Sequence, residues 1–379
     1  GCYLLKSLDV SSVNTAKVTN MNYMFANCDS LATIFAGDAW STAAVTSSSY
    51  MFTMSRKLVG GAGTTYNESN PKDATYAHID GGTSNPGYLT SDKISFADAA
   101  VKAICVNNWD TDGDGELSIA EARVVTGDQM GTKFENNPSI ASFDELRFFT
   151  GLGRLRVYAF HNCSALQSIK LPESLTAIET DCFWECSSLQ SLHIPKNVTS
   201  IGYYITARCA ALETITVDPE NTVLASPNNC NAIIKDDTLL VAGCKNTVIP
   251  DGVTTIGVAS MNGLTLTSLE IPASVTEIQM NAFGQNSTLQ TVTILATEPP
   301  LLQRGAFGPV ATLKENCILV VPDGCRQAYL TAAAGDQANT YAQTFKEIRS
   351  ARFPGHVHID NVEAATSTGL AELAVFNQD

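Results

Sequence analysis

Residues 160–202 read FHNCSALQSIKLPESLTAIETDCFWECSSLQSLHIPKNVTSIG, and this stretch decides the fold because it contains one pattern twice. The second copy follows the first by 23 residues, with these matching positions: Phe160 and Phe183, Cys163 and Cys186, Leu166 and Leu189, Pro172 and Pro195, Ile178 and Ile201. A fixed period of this length is typical of repeat proteins, in which one unit cannot bury its own apolar face and therefore stacks on its neighbours.

Each unit contains a short run of alternating apolar and polar residues, such as LQSLHIP at residues 189–195. Alternation places the apolar side chains on one face of a β-strand and the polar ones on the other. A proline ends the run, because it cannot donate to a strand ladder. The return obeys P-x-x-(L/V)-x-x-I in four segments, which begin at Pro172, Pro195, Pro250 and Pro272. The sequence therefore predicts a leucine-rich-repeat-like solenoid, mainly β, with short strands and irregular returns.

A second repeat family occupies the start of the chain. The pattern C-x-x-L-x-x-L at residues 2–8 is matched 26 residues later by C-x-x-L-x-x-I at residues 28–34. Residues 60–92 are rich in Gly, Asn, Thr and Ser, a composition typical of irregular loops. We therefore predict a first domain over residues 1–92, made of 26-residue repeats and a cap loop.

The segment DTDGDGELSIAE at residues 110–121 fits the calcium-loop pattern of an EF-hand. Ca²⁺ is a hard cation that takes six to eight oxygen ligands, and the pattern supplies carboxylates, a carbonyl and a hydroxyl. The predicted ligands are Asp110, Asp112, Asp114, the carbonyl of Glu116, Ser118 and Glu121. Gly115 permits the sharp turn that the loop needs. Apolar residues at helical spacing between Phe96 and Trp109 predict the entering helix.

EF-hands normally occur in pairs, and the candidate partner here is KFENNPSIASFD at residues 133–144. It has Lys133 at the first ligand position and Pro138 where glycine is needed, so we predict a degenerate half without metal and one Ca²⁺ in total. A calcium switch typically exposes a Met-rich groove. We predict that residues 93–150 form a second, helical EF-hand-like domain. Because Met130 is its only methionine, we interpret this domain as a spacer rigidified by calcium.

The third predicted domain, residues 151–349, contains the 23-residue repeats and ends in a closing strand and helix. Residues 350–379 lack the repeat pattern, and the sequence assigns them no structure. Polar positions on the outward strand faces form the predicted binding surface: Gln167, Lys170, Gln190, His193, Glu213, Thr216, Glu270 and Gln290.

Composition excludes several classes of function. The net charge of -15, from 23 basic and 38 acidic residues, argues against nucleic acid and against an anionic membrane surface. No apolar run is long enough to insert in a membrane. The common hydrolase, metalloprotease and phosphate-loop motifs are absent from the sequence, so we predict no enzymatic activity. The 11 cysteines fit buried free thiols better than disulfides, although stacked coils would bring some within bonding range.

The stretch LDVSSVNTAKVTNMNYMFANCDSL at residues 8–31 resembles the 26-residue repeats of BspA-like bacterial surface proteins. The C-S-x-L-x-S-I/L segments resemble the leucine-rich repeats of the same family, and CILVVPDGCRQAYLTAA resembles its closing strand and helix. The loop at residues 110–121 resembles those of dockerin-type and other bacterial EF-hands, although a dockerin has two intact loops.

The resemblance implies a protein at the bacterial cell surface or outside the cell. It implies adhesion through a host or matrix protein or a glycan, with no catalytic residues, and it leaves the oligomeric state open. The alternative interpretation is a spacer, or a dockerin-like scaffold segment, of a larger surface protein.

Overall fold

The computed structural model describes residues 2–308 and 310–351 and divides the chain into two compact units. The first unit contains residues 1–205 and 217–222, and the second contains residues 206–216 and 223–379. The boundary lies inside the predicted repeat segment 151–349. Apart from residues 350 and 351, the tail predicted to begin at residue 350 lies outside the described residues.

The first unit begins with a parallel sheet of three short strands, β1 (Ser7–Asp9), β2 (Thr33–Ala36) and β3 (Leu89–Ser91), in that order. Leu8 of β1 is in register with Ile34 of β2, an offset of 26 residues that matches the sequence period. Apolar residues of successive coils fill the space behind the strands, and the rings of Phe25 and Phe52 stack with their centroids 5.6 Å apart. Stacking of equivalent residues explains why the sequence repeats them.

The loop before β3 is organised by one buried carboxylate, that of Asp80, which is 7% exposed. Its Oδ2 accepts hydrogen bonds from the backbone amides of Ala62 and Thr64, at 2.9 Å each. Its Oδ1 accepts from the Thr64 hydroxyl at 2.7 Å and from the amides of Gly82 and Gly87 at 2.9 and 3.3 Å. Two 3₁₀ turns, Ala74–Tyr76 and Gly82–Ser84, lie in this loop. The predicted irregular cap is therefore an ordered structure that supplies the third strand.

Three short helices follow: α1 (Ala99–Trp109), α2 (Ile119–Val124) and α3 (Gly127–Met130). Asp98 caps α1 by accepting from the amides of Ala100 and Val101. The buried face of α1 is formed by Val101, Cys105 and Trp109. Of the apolar residues on which the helix was predicted, Trp109 is buried, whereas Phe96 and Ile104 are partly exposed.

The rest of the first unit forms coils with very short parallel strands. They are β4 (Ser142–Phe143), β5 (Arg154–Leu155), β6 (Ser168–Ile169), β7 (Ala177–Ile178), β8 (Ser191–Ile194) and β9 (Ser200–Ile201), with a 3₁₀ turn at Asp144–Phe148. β4 pairs with β6, and β5, β7 and β9 form a second sheet. Arg154 is in register with Ala177, and Ala177 with Ser200, so the 23-residue period is the offset between neighbouring strands.

Phenylalanines form a column in the core of these coils. Ring centroids are 5.3 Å apart between Phe134 and Phe160 and 5.7 Å apart between Phe160 and Phe183. The repeated cysteines are buried beside this column, in agreement with the predicted free thiols. All eleven cysteines lie in the described part of the chain, and none forms a disulfide there.

The second unit contains the later coils and the closing elements. Its elements are β10 (Thr214–Val217, whose last residue belongs to the first unit), β11 (Leu224–Ala225), β12 (Ala232–Lys235), β13 (Leu239–Gly243), β14 (Thr255–Ile256), β15 (Ser268–Ile271), β16 (Glu277–Ile278), β17 (Thr291–Ile294), β18 (Leu301–Leu302), α4 (Val310–Asn316), β19 (Ile318–Val321), α5 (Arg326–Thr331), α6 (Tyr341–Thr344) and β20 (Glu347–Ser350). A 3₁₀ turn lies at Pro227–Asn229. Two sheets result, with orders β11-β12-β13-β14-β16-β18 and β15-β17-β19-β20.

Residues 218–246, which lack the 23-residue pattern, contain an antiparallel hairpin, β12–β13. Asp236 and Asp237 form its turn with φ values of 51° and 57°, as a primed hairpin turn requires. β13 then pairs in parallel with β14, so the hairpin provides an edge for the coils that follow. No helix in the described ranges is both long and apolar enough to cross a bilayer.

Candidate metal site and exposed strand faces

The predicted calcium loop lies between two helices. α1 ends at Trp109, and Asp110 follows it as the C-cap residue. Ser118 caps α2, with its hydroxyl accepting from the amide of Glu121 and its amide donating back to the Glu121 carboxylate. Gly113 and Gly115 have φ values of 76° and 81°, which glycine adopts without steric cost. The local chemistry of the sequence therefore fixes both ends and the turn of the loop.

Three carboxylates meet inside this loop. One oxygen from each of Asp110, Asp112 and Asp114 lies within 4.8 Å of the others. Backbone amides hold these side chains in place: Asp110 accepts from Gly113 at 2.7 Å and from Gly115 at 2.9 Å, and Asp112 accepts from Asp114 at 3.1 Å. The carboxylates are thus oriented by the loop itself.

The other predicted ligands are placed differently. One oxygen of Glu121 accepts from the amide and hydroxyl of Thr111, at 2.6 and 2.8 Å. The other oxygen accepts from the amide and hydroxyl of Ser118, both at 2.9 Å. The carboxylate of Glu116 lies 2.6 Å from the ammonium of Lys102. The structure therefore brings the carboxylates of Asp110, Asp112 and Asp114 together, while the carboxylate of Glu121 is hydrogen-bonded to Thr111 and Ser118.

The pKa values of the three aspartates are shifted in different directions. The hydrogen bond from the Gly115 amide lowers the pKa of Asp110. The pKa of Asp114 is also lowered, chiefly by its hydrogen bond with the ammonium of Lys93. For Asp112, the hydrogen bond from the Asp114 amide acts in the lowering direction, but desolvation and the charges of Asp114 and Glu121 outweigh it and raise the pKa. The three carboxyl groups of the triad therefore differ in the direction of their pKa shifts.

A lysine at the loop was missed by sequence reasoning. The Nζ atom of Lys93 lies 2.9 Å from Oδ2 of Asp114 and 2.8 Å from Oδ2 of Asp38, a residue of the N-terminal coils. No local pattern identifies such a contact, because Lys93 precedes α1 and approaches the loop only in the folded chain.

The backbone partner of the loop also differs from the prediction. Ser118 forms an isolated antiparallel bridge with Lys93, flanked by hydrogen bonds from Ile94 to Leu117 at 2.8 Å and from Ile119 to Asp92 at 2.7 Å. The expected degenerate half at residues 133–144 does not take this place, and its last residues contribute to β4, which pairs with β6. The predicted pairing of the loop with residues 133–144 was wrong, because residues 92–94 already pair with the edge of the loop.

The chemistry of the donor set fits a hard cation. Convergent carboxylate oxygens are the ligands that Ca²⁺ prefers, and a glycine at the sixth position of a 12-residue loop matches the turn that such loops need. Asp110, Asp112 and Asp114 would hold the ion directly. A bound cation would supply charge neutralisation and a cross-link within the loop.

The outward strand residues of the first unit are exposed as predicted. Gln167, Lys170, Gln190 and His193 all lie on the solvent side of β6 and β8 or next to them. On β8 exposed and buried residues alternate strictly. Lys170 forms an ion pair with Asp144 at 2.8 Å.

The outward residues of the second unit are exposed too, namely Glu213, Thr216, Glu270 and Gln290. Glu213 lies 3.6 Å from the ammonium of Lys245. Gln290 lines an open groove, to which Thr267, Thr288 and Asn316 also contribute. Each unit thus presents its own polar strand face.

Comparison with protein families identifies the repeats. Residues 134–231 and 232–316 match the family described as BspA type leucine-rich repeat region. Residues 4–82 match a family described as a Mycoplasma protein of unknown function, DUF285. Comparison with curated proteins finds no match. The match covers two segments within residues 134–316 and confirms the repeat part of the predicted fold class.

Several solved bacterial structures resemble the chain. A leucine-rich cell surface protein from Faecalibacterium prausnitzii is 16% identical with a TM-score of 0.37, over 92% of this chain and 84% of that one. A leucine-rich repeat protein from Bacteroides ovatus is 15% identical with a TM-score of 0.29, over 91% and 92%. The pneumococcal vaccine antigen PcpA is 14% identical with a TM-score of 0.25, over 54% and 67%.

Proposed function

We propose that the chain is a non-enzymatic binding protein of the bacterial cell surface, whose strand faces bind a host or matrix protein or a glycan. The observation that carries this proposal is the separation of the two faces of the strands. On β8, Leu192 and Ile194 are buried while Ser191 and His193 are exposed. The inward face is committed to packing, so the outward face is free to vary without loss of the fold.

The outward faces of the strands are better suited to binding a partner than to catalysis. Their residues are uncharged or mixed in charge, and long side chains such as those of Gln190 and Lys170 provide adaptable hydrogen bonding. Among the described residues, the one group of three or more side chains with convergent metal-binding atoms is Asp110, Asp112 and Asp114, in the loop and not on a strand face. Repeats of the BspA type, which resemble those of surface proteins, support the proposed location.

We also propose that residues 110–121 bind one Ca²⁺ with a structural role. Support comes from the three convergent carboxylates and from the backbone amides that orient them. Support for a structural role comes from the edge of the loop, which is paired with residues 92–94 of the same chain and so leaves no open edge there for a regulatory partner.

The binding proposal is tested with the full chain against matrix proteins and glycan arrays. A variant with Gln167→Ala, Gln190→Ala and His193→Ala should lose a partner that the native chain retains, because these side chains share the outward face of the first unit. The matched control is Glu173→Gln with Thr199→Ala, which changes exposed residues away from that face and should leave retention unchanged. Equal loss in both variants, or no retained partner at all, would contradict the proposal.

The calcium proposal is tested by calorimetric titration. The native chain should bind one equivalent, and Asp110→Ala and Glu121→Ala should each weaken binding by at least tenfold, because each removes a carboxylate from the ligand set. Glu220→Gln serves as control, since Glu220 is exposed and pairs with Lys196 at 2.8 Å. Absence of binding by the native chain would contradict the proposal.

The alternative, a spacer or dockerin-like segment, makes a different prediction. A spacer would retain no partner on either strand face, and a dockerin-like segment would retain a cohesin-type partner whose binding requires calcium. The same retention experiment, repeated with a chelator, separates these outcomes.

A further inference from the structure

Lys93 connects the metal loop to the N-terminal coils. It lies two residues beyond β3, and its ammonium bridges Asp38 at 2.8 Å and Asp114 at 2.9 Å. Both residues are accessible to solvent, and 31% of the Lys93 side chain and 27% of the Asp114 side chain are exposed. Such a pair is less screened by solvent than a fully exposed one.

The backbone makes the same connection. Asp92 donates to the carbonyl of Ala36 at 3.1 Å and accepts from the amide of Ile119 at 2.7 Å. One residue thus joins β2 on one side and the metal loop on the other. Hydrogen bonds therefore run without interruption from the coils into the loop.

A third contact lies on the far side of the loop. Arg123 of α2 forms an ion pair with Asp9 of β1. The loop and the helix that leaves it therefore contact two different strands of the N-terminal sheet.

We propose that Lys93 is an internal counter-ion of the metal loop: it neutralises Asp114 when the loop is empty and opposes the entering Ca²⁺, so that the N-terminal sheet and the loop respond to calcium as one body. This inference rests on the calcium site proposed above. According to this proposal, the metal loop is supported by the N-terminal sheet, whereas in a paired EF-hand it is supported by a second loop.

The size of the effect follows from the charges. An ion at 2.3–2.6 Å from an oxygen of Asp114 would lie roughly 5 Å from the Lys93 ammonium. Repulsion between a double and a single charge at that distance, even in a water-like dielectric, corresponds to roughly a tenfold loss of affinity, and less where the lysine swings toward Asp38. Lys93→Gln should therefore tighten calcium binding by roughly 3- to 10-fold.

The experiment titrates Ca²⁺ into the native chain, Lys93→Gln and the matched control Lys170→Gln, which removes another ammonium paired to an aspartate at 2.8 Å. Lys93→Gln should bind more tightly, and Lys170→Gln should stay within twofold of the native chain. Hydrogen exchange of the native chain should show calcium-dependent protection in β2 and β3 and none in β8. In Lys93→Gln, calcium should still increase the protection of β2 and β3, because the backbone hydrogen bonds of Asp92 remain. The increase in β2 should be smaller than in the native chain.

The outcomes separate the two proposals. No calcium binding by the native chain would overturn the calcium site and this inference together. Calcium binding by the native chain with unchanged affinity in Lys93→Gln would overturn the counter-ion role alone. Protection confined to residues 110–121 would overturn the joint response of loop and sheet.

Discussion

The thiol of Cys186 donates a hydrogen bond to the carbonyl oxygen of Phe160, one coil earlier in the chain, with 3.1 Å between Sγ and oxygen. Cys163 makes the equivalent bond to Phe134 at 2.9 Å. The repeated cysteine is thus a small buried donor that joins neighbouring coils. Burial raises the pKa of Cys163 to about 11, so this thiol stays protonated at neutral pH.

Replacing Cys186 with alanine should destabilise the first unit by about 1–2 kcal/mol, from a lost hydrogen bond and a small cavity. Cys2→Ala is the control, because Cys2 is exposed, and it should change the free energy of unfolding by less than about 0.5 kcal/mol. Urea unfolding followed by circular dichroism measures both. Equal stability of the two variants would show that the thiol ladder contributes nothing.

The stability of the N-terminal region should depend on pH through Asp80. Burial acts to raise the pKa of this carboxyl, but hydrogen bonds from Thr64, Gly82 and Gly87 outweigh it and lower the pKa from 3.8 to about 2. Because the folded pKa is the lower one, the contribution is complete above about pH 4 and is lost as the pH falls toward 2. The shift corresponds to about 2 kcal/mol at neutral pH.

Asp80→Asn should therefore lose at least that amount at pH 7, and its difference from the native chain should shrink as the pH approaches 2. Glu173→Gln, at an exposed position, provides the control. Thermal melts between pH 2 and 7 measure the effect. A difference that stays constant across this range would contradict the assigned role of the carboxylate.

Neighbouring residues of the repeats should differ sharply in their tolerance to substitution. Leu192→Ala should cost about 2–5 kcal/mol, because Leu192 is 1% exposed and its removal leaves a cavity between coils. Gln190→Ala, at an exposed position two residues earlier, should cost less than about 0.5 kcal/mol. Similar losses in the two variants would mean that the strand faces are not separated as described.

Calcium removal should destabilise the first unit. A ligand that binds only the folded state contributes RT ln(1 + [L]/Kd), about 2.7 kcal/mol at a hundredfold excess over Kd. Chelator should therefore lower the unfolding midpoint of the native chain and leave Asp110→Ala unchanged. The same shift in both proteins would mean that the chelator acts elsewhere.

The repeats could be predicted from the sequence because stacked coils need similar residues at equivalent positions. A residue such as Phe160 contacts its equivalents one period away, so the same side chain is needed at each step. The aspartate triad was also predictable, since its geometry is set by amides within a few residues of each carboxylate. Both kinds of feature depend on short or regular separations along the chain.

Features that depend on tertiary placement were missed. The contacts of Lys93 join residues 55 and 21 positions apart, at Asp38 and Asp114, and no period connects them. The hairpin β12–β13 was missed for another reason: its one signal is a pair of aspartates, Asp236 and Asp237, which tolerate positive φ but also occur in ordinary loops.

The hairpin β12–β13 has a consequence for the order in which the second unit folds. Its two strands are joined by a turn of a few residues, so they pair without the entropy cost of closing a long loop. Every parallel pair beyond it, beginning with β13 and β14, must close a much longer segment. The hairpin is thus the natural nucleus on which later coils assemble, and loosening its turn with Asp236→Val should slow refolding, whereas a lesion in β19 should mainly speed unfolding.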